Sequence, residues 1–334
     1  MPPTSPSSKT ASTAACLTPD LPTGGLCAIH QPNFFPRLTT LAKLFAADCW
    51  IVLDDVQFTR RDYQHRTRLA ALDNPADRRW LSIPTHLPLG RRTLIRDAVM
   101  AEPAQSQQRT TRVLRQHFGT SPYWHAFEQA LAPALDAFAT SDRTAAVAET
   151  STRALLDLLG WQGRILRSSS LPARPERSQR LADLAAAVGA RTYLCGPGGM
   201  RYLNATPFAA VGIAVTPFNL SEAGAWQSAR DISSIWTLMR IGPQRLASNL
   251  QTTSAAEIGP KTMAWLNTRR DVSTGSATAL PDQGRCAGDC HPAGRDVAPR
   301  QCEQTPPANA LPRTTVLLSL IRSAQGGAAH GYTR

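Results

Sequence analysis

The sequence predicts an α/β protein with a Rossmann-like, mainly parallel sheet, a helical insert, and disordered tails at both ends. Between residues 26 and 250, short apolar runs alternate with amphipathic helical segments, the pattern of strands joined by helices. Residues from about 105 to 160 are helical in pattern throughout, which predicts the insert. Residues 1–25 and 251–334 are rich in Ser, Thr, Pro, Ala and Gly without hydrophobic periodicity, so they bury too little apolar surface to fold.

The domain opens with a predicted strand–helix–strand unit. Leu26–His30 is a short apolar run bounded by glycines before and Gln31-Pro32 after, which is typical of a buried strand. Residues 37–47 repeat leucines at helical spacing, and Cys49–Leu53 is a second apolar run. A unit of this length predicts a parallel, right-handed crossover.

The remaining elements follow from apolar runs and from glycines that end helices. Gly119, Gly160 and Gly189 each follow a helical pattern and predict its last turn. Further strands are predicted at Trp80–Ile83, Leu94–Met100, Arg164–Arg167, Thr192–Cys195 and Gly212–Thr216. Further helices are predicted at Arg109–Phe118, after Ser121-Pro122, at Ala145–Leu159, Gln179–Val188 and 232–250.

Charge and hydropathy argue against a nucleic-acid partner and against a membrane span. The net charge is +12, but the three lysines (Lys9, Lys43 and Lys261) are few beside the arginines, a bias typical of a GC-rich coding sequence. No basic run or basic–aromatic ladder occurs, so no nucleic-acid partner is expected. No apolar run approaches the roughly 20 residues of a membrane span, and the N-terminus lacks the pattern of a signal peptide. We therefore expect a cytoplasmic protein.

The seven cysteines form no disulfide framework. Cys27, Cys49 and Cys195 lie in or beside apolar runs and are predicted to be small buried side chains. Zinc-type ligands do gather at 286–302, but that segment has no predicted scaffold, so chance clustering is the favoured interpretation.

The first candidate site follows the first strand. His30, Gln31 and Asn33 stand at its carboxyl end, with Pro32 stiffening the loop. Histidine exchanges protons near neutral pH, and the free N–H groups of the next helix suit an anionic ligand. The alternative is a capped turn in which His30 bonds only to the backbone.

Asp54, Asp55 and Gln57 follow the second strand and form the next candidate. Parallel strands end at one edge of the sheet, so these residues are expected near His30. Strand alternation predicts the two carboxylates on opposite faces, so that at most one points into a shared pocket. That carboxylate would hold a magnesium ion, a ribose hydroxyl or a substrate ammonium; the alternative is a turn cap.

Arginines follow next. Arg66 and Arg68 share one face if 64–69 is extended, and two guanidiniums there would clamp a phosphate or carboxylate. Arg60 and Arg61 are interpreted instead as a solvated surface.

A glycine-rich segment after a later strand completes the candidate residues. Gly196, Gly198 and Gly199 predict a loop whose N–H groups approach an oxyanion or phosphate, with Tyr202 close behind. The hydroxyls of 168–170 would add to the same edge. The spacing matches neither a Walker loop nor a dinucleotide-binding motif, and a tight turn is the alternative.

These motifs, in this order, resemble the WbqC-like family of bacterial proteins. The resemblance covers about 27–250 and rests on IHQPNFFP, LDDVQFTRRDYQHRTRL, WLSIPT, SSSL, GPGGMRYL and GIAV. It implies functional positions at His30, Gln31, Pro32, Asn33, Asp54, Asp55, Gln57, Gln64, Arg66, Arg68, Gly196, Gly199 and Tyr202. The chain departs from the family pattern at His65, Thr67, Cys195 and Trp236; an aspartate is usual at the last of these.

The resemblance implies a biosynthetic enzyme of surface-polysaccharide or natural-product pathways that transfers or ligates a small acyl or aminoacyl group. His30 would be the general acid/base, Asp54 or Asp55 would bind a metal or an acceptor amine, and Arg66 with Arg68 would bind an anion. The expected ligands are a small-molecule substrate and a nucleotide, with Mg²⁺, or a nucleotide sugar. Two alternatives are a nucleotidyl- or adenylate-forming enzyme and a non-catalytic binding subunit of a sugar-modifying complex.

Overall fold

The computed structural model describes residues 25–220, 226, 228–254, 256 and 258. Its strands are β1 Leu26–His30, β2 Cys49–Val52, β3 Arg66–Ala70, β4 Arg78–Ser82, β5 Thr85–His86, β6 Val99–Met100, β7 Arg164–Arg167, β8 Thr192–Cys195 and β9 Ala214–Pro217. Its helices are α1 Leu38–Phe45, α2 Pro103–Phe118, α3 Trp124–Ala130, α4 Ala132–Thr140, α5 Thr144–Leu158, α6 Arg177–Ala187, α7 Pro197–Met200, α8 Thr206–Ala210 and α9 Ser234–Ile241. Helical residues also occupy 243–254.

A five-stranded sheet with the order β7-β2-β1-β8-β9 forms the centre, and every neighbouring pair in it is parallel. The α/β, Rossmann-like prediction is therefore confirmed. The chain builds outward from β1 through β2 to β7, and then returns to the other side of β1 for β8 and β9. Helices α2–α5 fall within the region predicted as a helical insert.

Helices cover both faces of this sheet, as the alternation of side chains along β1 requires. Ala28 packs into the larger apolar cluster, which contains the α1 leucines Leu41 and Leu44. Cys27 and Ile29 face the opposite way and join a second cluster, which contains Leu184 of α6. The prediction of small buried cysteines is confirmed, since Cys27, Cys49 and Cys195 are all free and buried.

Two predicted strands do not join the central sheet. The predicted strand Trp80–Ile83 overlaps β4, which pairs with β3 in an antiparallel hairpin outside the five-stranded parallel sheet. The predicted strand Leu94–Met100 is wrong over most of its length: Ile95–Asp97 is a 3₁₀ turn, and only β6 is extended. Ile95 and Ala98 are both buried and three residues apart, a spacing that a 3₁₀ turn brings to one side.

The predicted helix 232–250 is broken in two. It ends at Gly242, whose φ of 83° lies in the left-handed region that glycine tolerates. Pro243 follows and disfavours the helical conformation for the residue before it, so helical residues restart only at 243.

Most of both predicted tails, and the cysteines at 286–302, lie outside the described residues. Among the residues that the structure describes, no helix has the length and apolarity needed to cross a bilayer.

Leu41→Ala tests how much the packing of α1 on the sheet stabilises the fold. Leu41 is 1% exposed, so the truncation leaves a cavity and should lower the free energy of unfolding by about 2–5 kcal/mol. Urea denaturation measures the change. Leu89→Ala is the matched control, because Leu89 is 60% exposed and its truncation should change stability by less than about 0.5 kcal/mol. Equal effects of the two substitutions would contradict the described packing.

Candidate functional site

The strand order places the candidate site. Strands added after β1 extend the sheet in one direction and β8 starts the other, so the topological switch point lies between β1 and β8. Open α/β sheets bind ligands at the carboxyl ends of the strands beside this point. Two cavities meet there, and both are lined by Ile29, His30, Tyr193 and Gly199.

One of them, here called the cationic cavity, has a volume of about 430 Å³. Four of its lining residues carry positive charge: Arg37, Lys43, Arg201 and Arg230. No Asp or Glu stands among its described lining residues. Such a surface attracts anions, and it lies against the turn that begins at Gly196.

The other, here called the apolar cavity, has a volume of about 460 Å³. Its walls are mostly apolar, and its polar lining comes from His30, Gln31, the two tyrosines and the first two turns of α6. A larger and more open depression of about 800 Å³ lies beside the β3–β4 turn, and none of the predicted site residues lines it.

His30 stands at the wall that the two cavities share. Its Nε2 lies 3.2 Å from Asn33 Oδ1, and its Nδ1 lies 3.3 Å from Lys43 Nζ. Because Asn33 Nδ2 donates to the Pro32 carbonyl, Oδ1 faces His30, so Nε2 carries the ring proton and Nδ1 accepts from Lys43. Burial, and then the charges of Lys43 and Arg37, hold the pKa of His30 well below its ordinary value, against the weaker effect of Asn33. The imidazole is therefore neutral at physiological pH.

Lys43 is a site residue that the sequence analysis missed. It projects from α1, is 6% exposed, and donates to the Ile29 carbonyl at 3.4 Å as well as to His30. Burial lowers the pKa of Lys43 from 10.5 to about 8. A lysine inside the apolar pattern of a helix, in a chain that otherwise uses arginine, was the available indication, because lysine gives up its proton and arginine does not.

The loop after β1 is held from three sides. Phe35 adopts a φ of 49°, a strained value for a residue with a side chain. Its N–H donates to Ser151 of α5, and its carbonyl accepts from Thr67 of β3 and Ser233 before α9. The Asn33 carbonyl accepts from Thr152, also of α5, at 2.8 Å. These bonds position His30 and Asn33 from elements distant in sequence.

Gln31 and Gln64 act together. Gln64 is buried, donates to Gln31 Oε1 at 2.8 Å and accepts from the Thr59 N–H. Only Gln31 lines a cavity, so Gln64 orients it from behind.

The predicted glycine-rich loop is instead a short helix, α7, because Gly196 is followed by Pro197 at the first helical position. Gly196, Gly198 and Gly199 all line the cationic cavity. A Cβ at Gly199 would lie 2.6 Å from Cys195 Sγ, so this close approach requires glycine. Tyr202, just beyond α7, lines the apolar cavity and is 64% exposed.

Hydrogen bonds join the two aspartates to the turn that follows β7. Ser168 Oγ lies 3.1 Å from Asp54 Oδ1 and 2.5 Å from Asp55 Oδ1, so one hydroxyl contacts both carboxylates. The prediction that the two carboxylates lie on opposite faces is therefore wrong, because β2 ends at Val52 and strand alternation does not extend to residues 54 and 55. The hydroxyls predicted to join this edge do so, since Ser169 also donates to Asp54 through its N–H and its hydroxyl.

Asp55 pairs with Arg180 of α6. Burial raises the pKa of this carboxyl, but hydrogen bonds from Ser168 and Arg180 outweigh it and hold the pKa below its ordinary value. Neither aspartate lines the two cavities, whereas Arg180 lines the apolar one. Nowhere in the described part of the chain do three His, Cys, Asp or Glu side chains gather closely enough to hold a metal ion.

Three further predicted residues, besides the aspartates and Gln64, line neither cavity. Arg66 and Arg68 do share a face of β3, but their guanidiniums stack on Trp80 of β4, at 4.3 and 4.6 Å from its ring centroid. Gln57 donates to the Arg91 carbonyl at 2.5 Å in an exposed position.

The fold is that of an α/β protein with a cavity lined by cations at the switch point of its sheet. The chain belongs to the WbqC-like protein family, whose model matches residues 31–246. It is 23% identical over 211 residues to the uncharacterized protein Rv1507c of Mycobacterium tuberculosis (strain ATCC 25618 / H37Rv), an alignment that spans 63% of this chain and 86% of that protein. No solved structure matches the chain.

The departure noted at Trp236 does not reach the candidate site. The side chain is 3% exposed, and its Nε1 donates to the Ala71 carbonyl at 2.9 Å. It packs in the larger apolar cluster and lines neither cavity.

Asp54→Ala tests the hydrogen bonds that join the end of β2 to the turn after β7. Loss of the buried carboxylate leaves donors of Ser168 and Ser169 without an acceptor, and the free energy of unfolding should fall by about 2–4 kcal/mol in chemical denaturation. Ser170→Ala, in the same turn but exposed, should change it by less than about 0.5 kcal/mol. An almost unchanged free energy of unfolding for Asp54→Ala would show that these hydrogen bonds contribute little to stability.

Lys43 should make stability rise with pH in the alkaline range. Its folded-state pKa of about 8 lies below its unfolded value of 10.5, so the unfolded chain binds more protons between these values. Relative to Lys43→Met, the native chain should therefore gain about 3 kcal/mol in unfolding free energy between pH 7 and pH 10.5. Urea titrations of both proteins across this range measure the difference in unfolding free energy. A difference that does not change with pH would show that the Lys43 amine is solvated in the folded protein.

Proposed function

We propose that this chain is a biosynthetic transferase or ligase that moves a small acyl or aminoacyl group from an anionic donor to an acceptor nucleophile. The observation that carries the proposal is the hydrogen-bonded series Asn33–His30–Lys43 at the wall of a cavity lined by cations. Acyl transfer needs a group that moves a proton near neutral pH and a surface that stabilises negative charge, and both are within one site.

The chemical step assigns a task to each group. The acceptor's amine or hydroxyl attacks the acyl carbon and gives its proton to the His30–Lys43 pair. The bond between the acyl carbon and the donor's leaving oxygen breaks, and the same pair returns the proton to the leaving group. Lys43 has the pKa suited to this exchange, while neutral His30 accepts at one ring nitrogen and donates from the other.

The donor is expected to carry phosphate. Arg37, Arg201 and Arg230 line the cationic cavity beside Lys43, and arginine binds phosphate oxygens in pairs. Acyl phosphates and acyl nucleotides fit this description, because the phosphate oxygen is then the leaving group of the acyl carbon. The assignment of this reaction to surface-polysaccharide or natural-product biosynthesis rests on the family resemblance alone.

Substitution of Lys43 tests the assignment in the full-length protein. A thermal-shift panel of ATP, other nucleotides, nucleotide sugars and acetyl phosphate, with and without Mg²⁺, identifies by the rise in melting temperature which phosphate compound the site binds. With the acyl derivative of that phosphate compound as donor and an amino acid as acceptor, Lys43→Met should lower kcat by about 10²–10⁴-fold. Lys43→Arg should not restore it, because a guanidinium keeps its proton.

The pH profile separates proton transfer from simple charge. The native enzyme should show an apparent pKa near 8 that the Lys43→Arg variant lacks. Full turnover by Lys43→Arg would overturn the proposal. Release of pyrophosphate from ATP would assign a nucleotidyl- or adenylate-forming reaction instead.

A further inference from the structure

The apolar cavity has no part in the proposed donor site. We propose that it binds the second substrate, a molecule with an apolar body and one anionic group, while the phosphate-bearing donor occupies the cationic cavity. Both would then be bound at once, with His30 between them. This inference rests on the proposed function, because it assigns the acceptor of the same reaction.

The size and walls of the apolar cavity suit a small organic molecule. Its volume of about 460 Å³ lies within the range of ligand pockets, which are mostly apolar with a few placed polar groups. The apolar side chains are Ile29, Leu53, Val56, Pro175, Leu181 and Leu203. An apolar body that covers such walls is held there by the hydrophobic effect.

The charged groups on its rim determine the second part of the ligand. Arg177 and Arg180 line the cavity, and no Asp or Glu is among its described lining residues. Asp55 holds Arg180 from behind, which fixes the guanidinium, and the buried Nε of Arg180 has no hydrogen-bond partner. Arg177 stacks on the Tyr202 ring at 4.9 Å from its centroid. These two arginines would bind a carboxylate, sulfonate or phosphate at one end of the apolar body.

The shared wall gives the two ligands a common reacting point. Ile29, His30, Tyr193 and Gly199 contact both cavities, whereas the rest of each lining is different in kind. One cavity offers four cations, and the other offers aliphatic walls with two cations at the rim. Two substrates of different chemistry therefore meet across a single imidazole, which is the geometry of a ternary complex.

The test uses 8-anilino-1-naphthalenesulfonate as the probe of the apolar cavity, because it combines an apolar body with one anionic group. Its fluorescence titration with the full-length protein should give one site. Leu203→Trp, which fills the cavity, should weaken binding at least tenfold. Arg177→Gln, which keeps every apolar wall, should weaken it severalfold. Leu89→Trp adds the same ring at an exposed position outside the cavity and should change nothing.

Inorganic pyrophosphate is the probe of the cationic cavity, measured by calorimetry. Arg201→Gln should weaken pyrophosphate binding and leave the sulfonate probe unaffected. Saturating pyrophosphate should not displace the sulfonate probe, since the two occupy different cavities. Mutual displacement would overturn the inference, and so would unchanged probe binding by both Leu203→Trp and Arg177→Gln.

The inference and the proposed function fail in different ways. A probe site that depends on Leu203 and Arg177, in a protein without acyl transfer, would retain the apolar cavity as a ligand site and reject the transferase. Acyl transfer that depends on Lys43, without probe binding in the apolar cavity, would retain the transferase and reject the apolar cavity as a ligand site.

Discussion

The candidate site depends on the hydrogen bonds that hold the buried loop between β1 and α1. Phe35 pays about 1–3 kcal/mol for its left-handed backbone. Its N–H and carbonyl are bonded by Ser151, Thr67 and Ser233, from α5, β3 and the start of α9. The loop therefore keeps its shape only in the folded chain, and His30 and Asn33 keep their geometry with it.

The same loop leads into α1, which carries the buried lysine. An ammonium in an apolar interior is costly, and two contacts offset part of that cost: the Ile29 carbonyl and the Nδ1 atom of His30. Burial, and then the charge of Lys43, keep the imidazole neutral, and burial lowers the pKa of the lysine. Buried titratable groups with shifted pKa values are typical of functional sites.

The two aspartates at this edge of the sheet have partners within the protein, and neither lines a cavity. The carboxylates of Asp54 and Asp55 are bound by Ser168, Ser169 and Arg180, and they join the ends of β2 and β7. The cations beside β1 and β8 line open cavities. The aspartates therefore stabilise the sheet and orient Arg180, and the arginines and Lys43 are left to meet an anionic ligand.

Local sequence was sufficient for the elements whose pattern is strong and for the residues directly attached to them. The predicted bounds of β1, β7 and β8 agree with the structure. For β1 and β8 the reason is that buried parallel strands are short apolar runs with clear ends, whereas β7 is a partly buried edge strand. His30 is the last residue of β1 and Gly196 directly follows β8, so their place at the carboxyl edge was already determined. Arg66 and Arg68 were expected near them, but β3 pairs with β4 rather than joining the sheet, and Trp80 takes both guanidiniums.

The sequence by itself determined the α/β class, the strand that ends at His30, and the family. Only the tertiary structure decided that β8 lies beside β1, which forms the switch point, and that Lys43 reaches His30. The physical reason is that periodicity reports which side of an element is buried, whereas strand order and side-chain partners depend on contacts between residues far apart in the chain. The pairing of the two cavities across one imidazole is a consequence of those distant contacts.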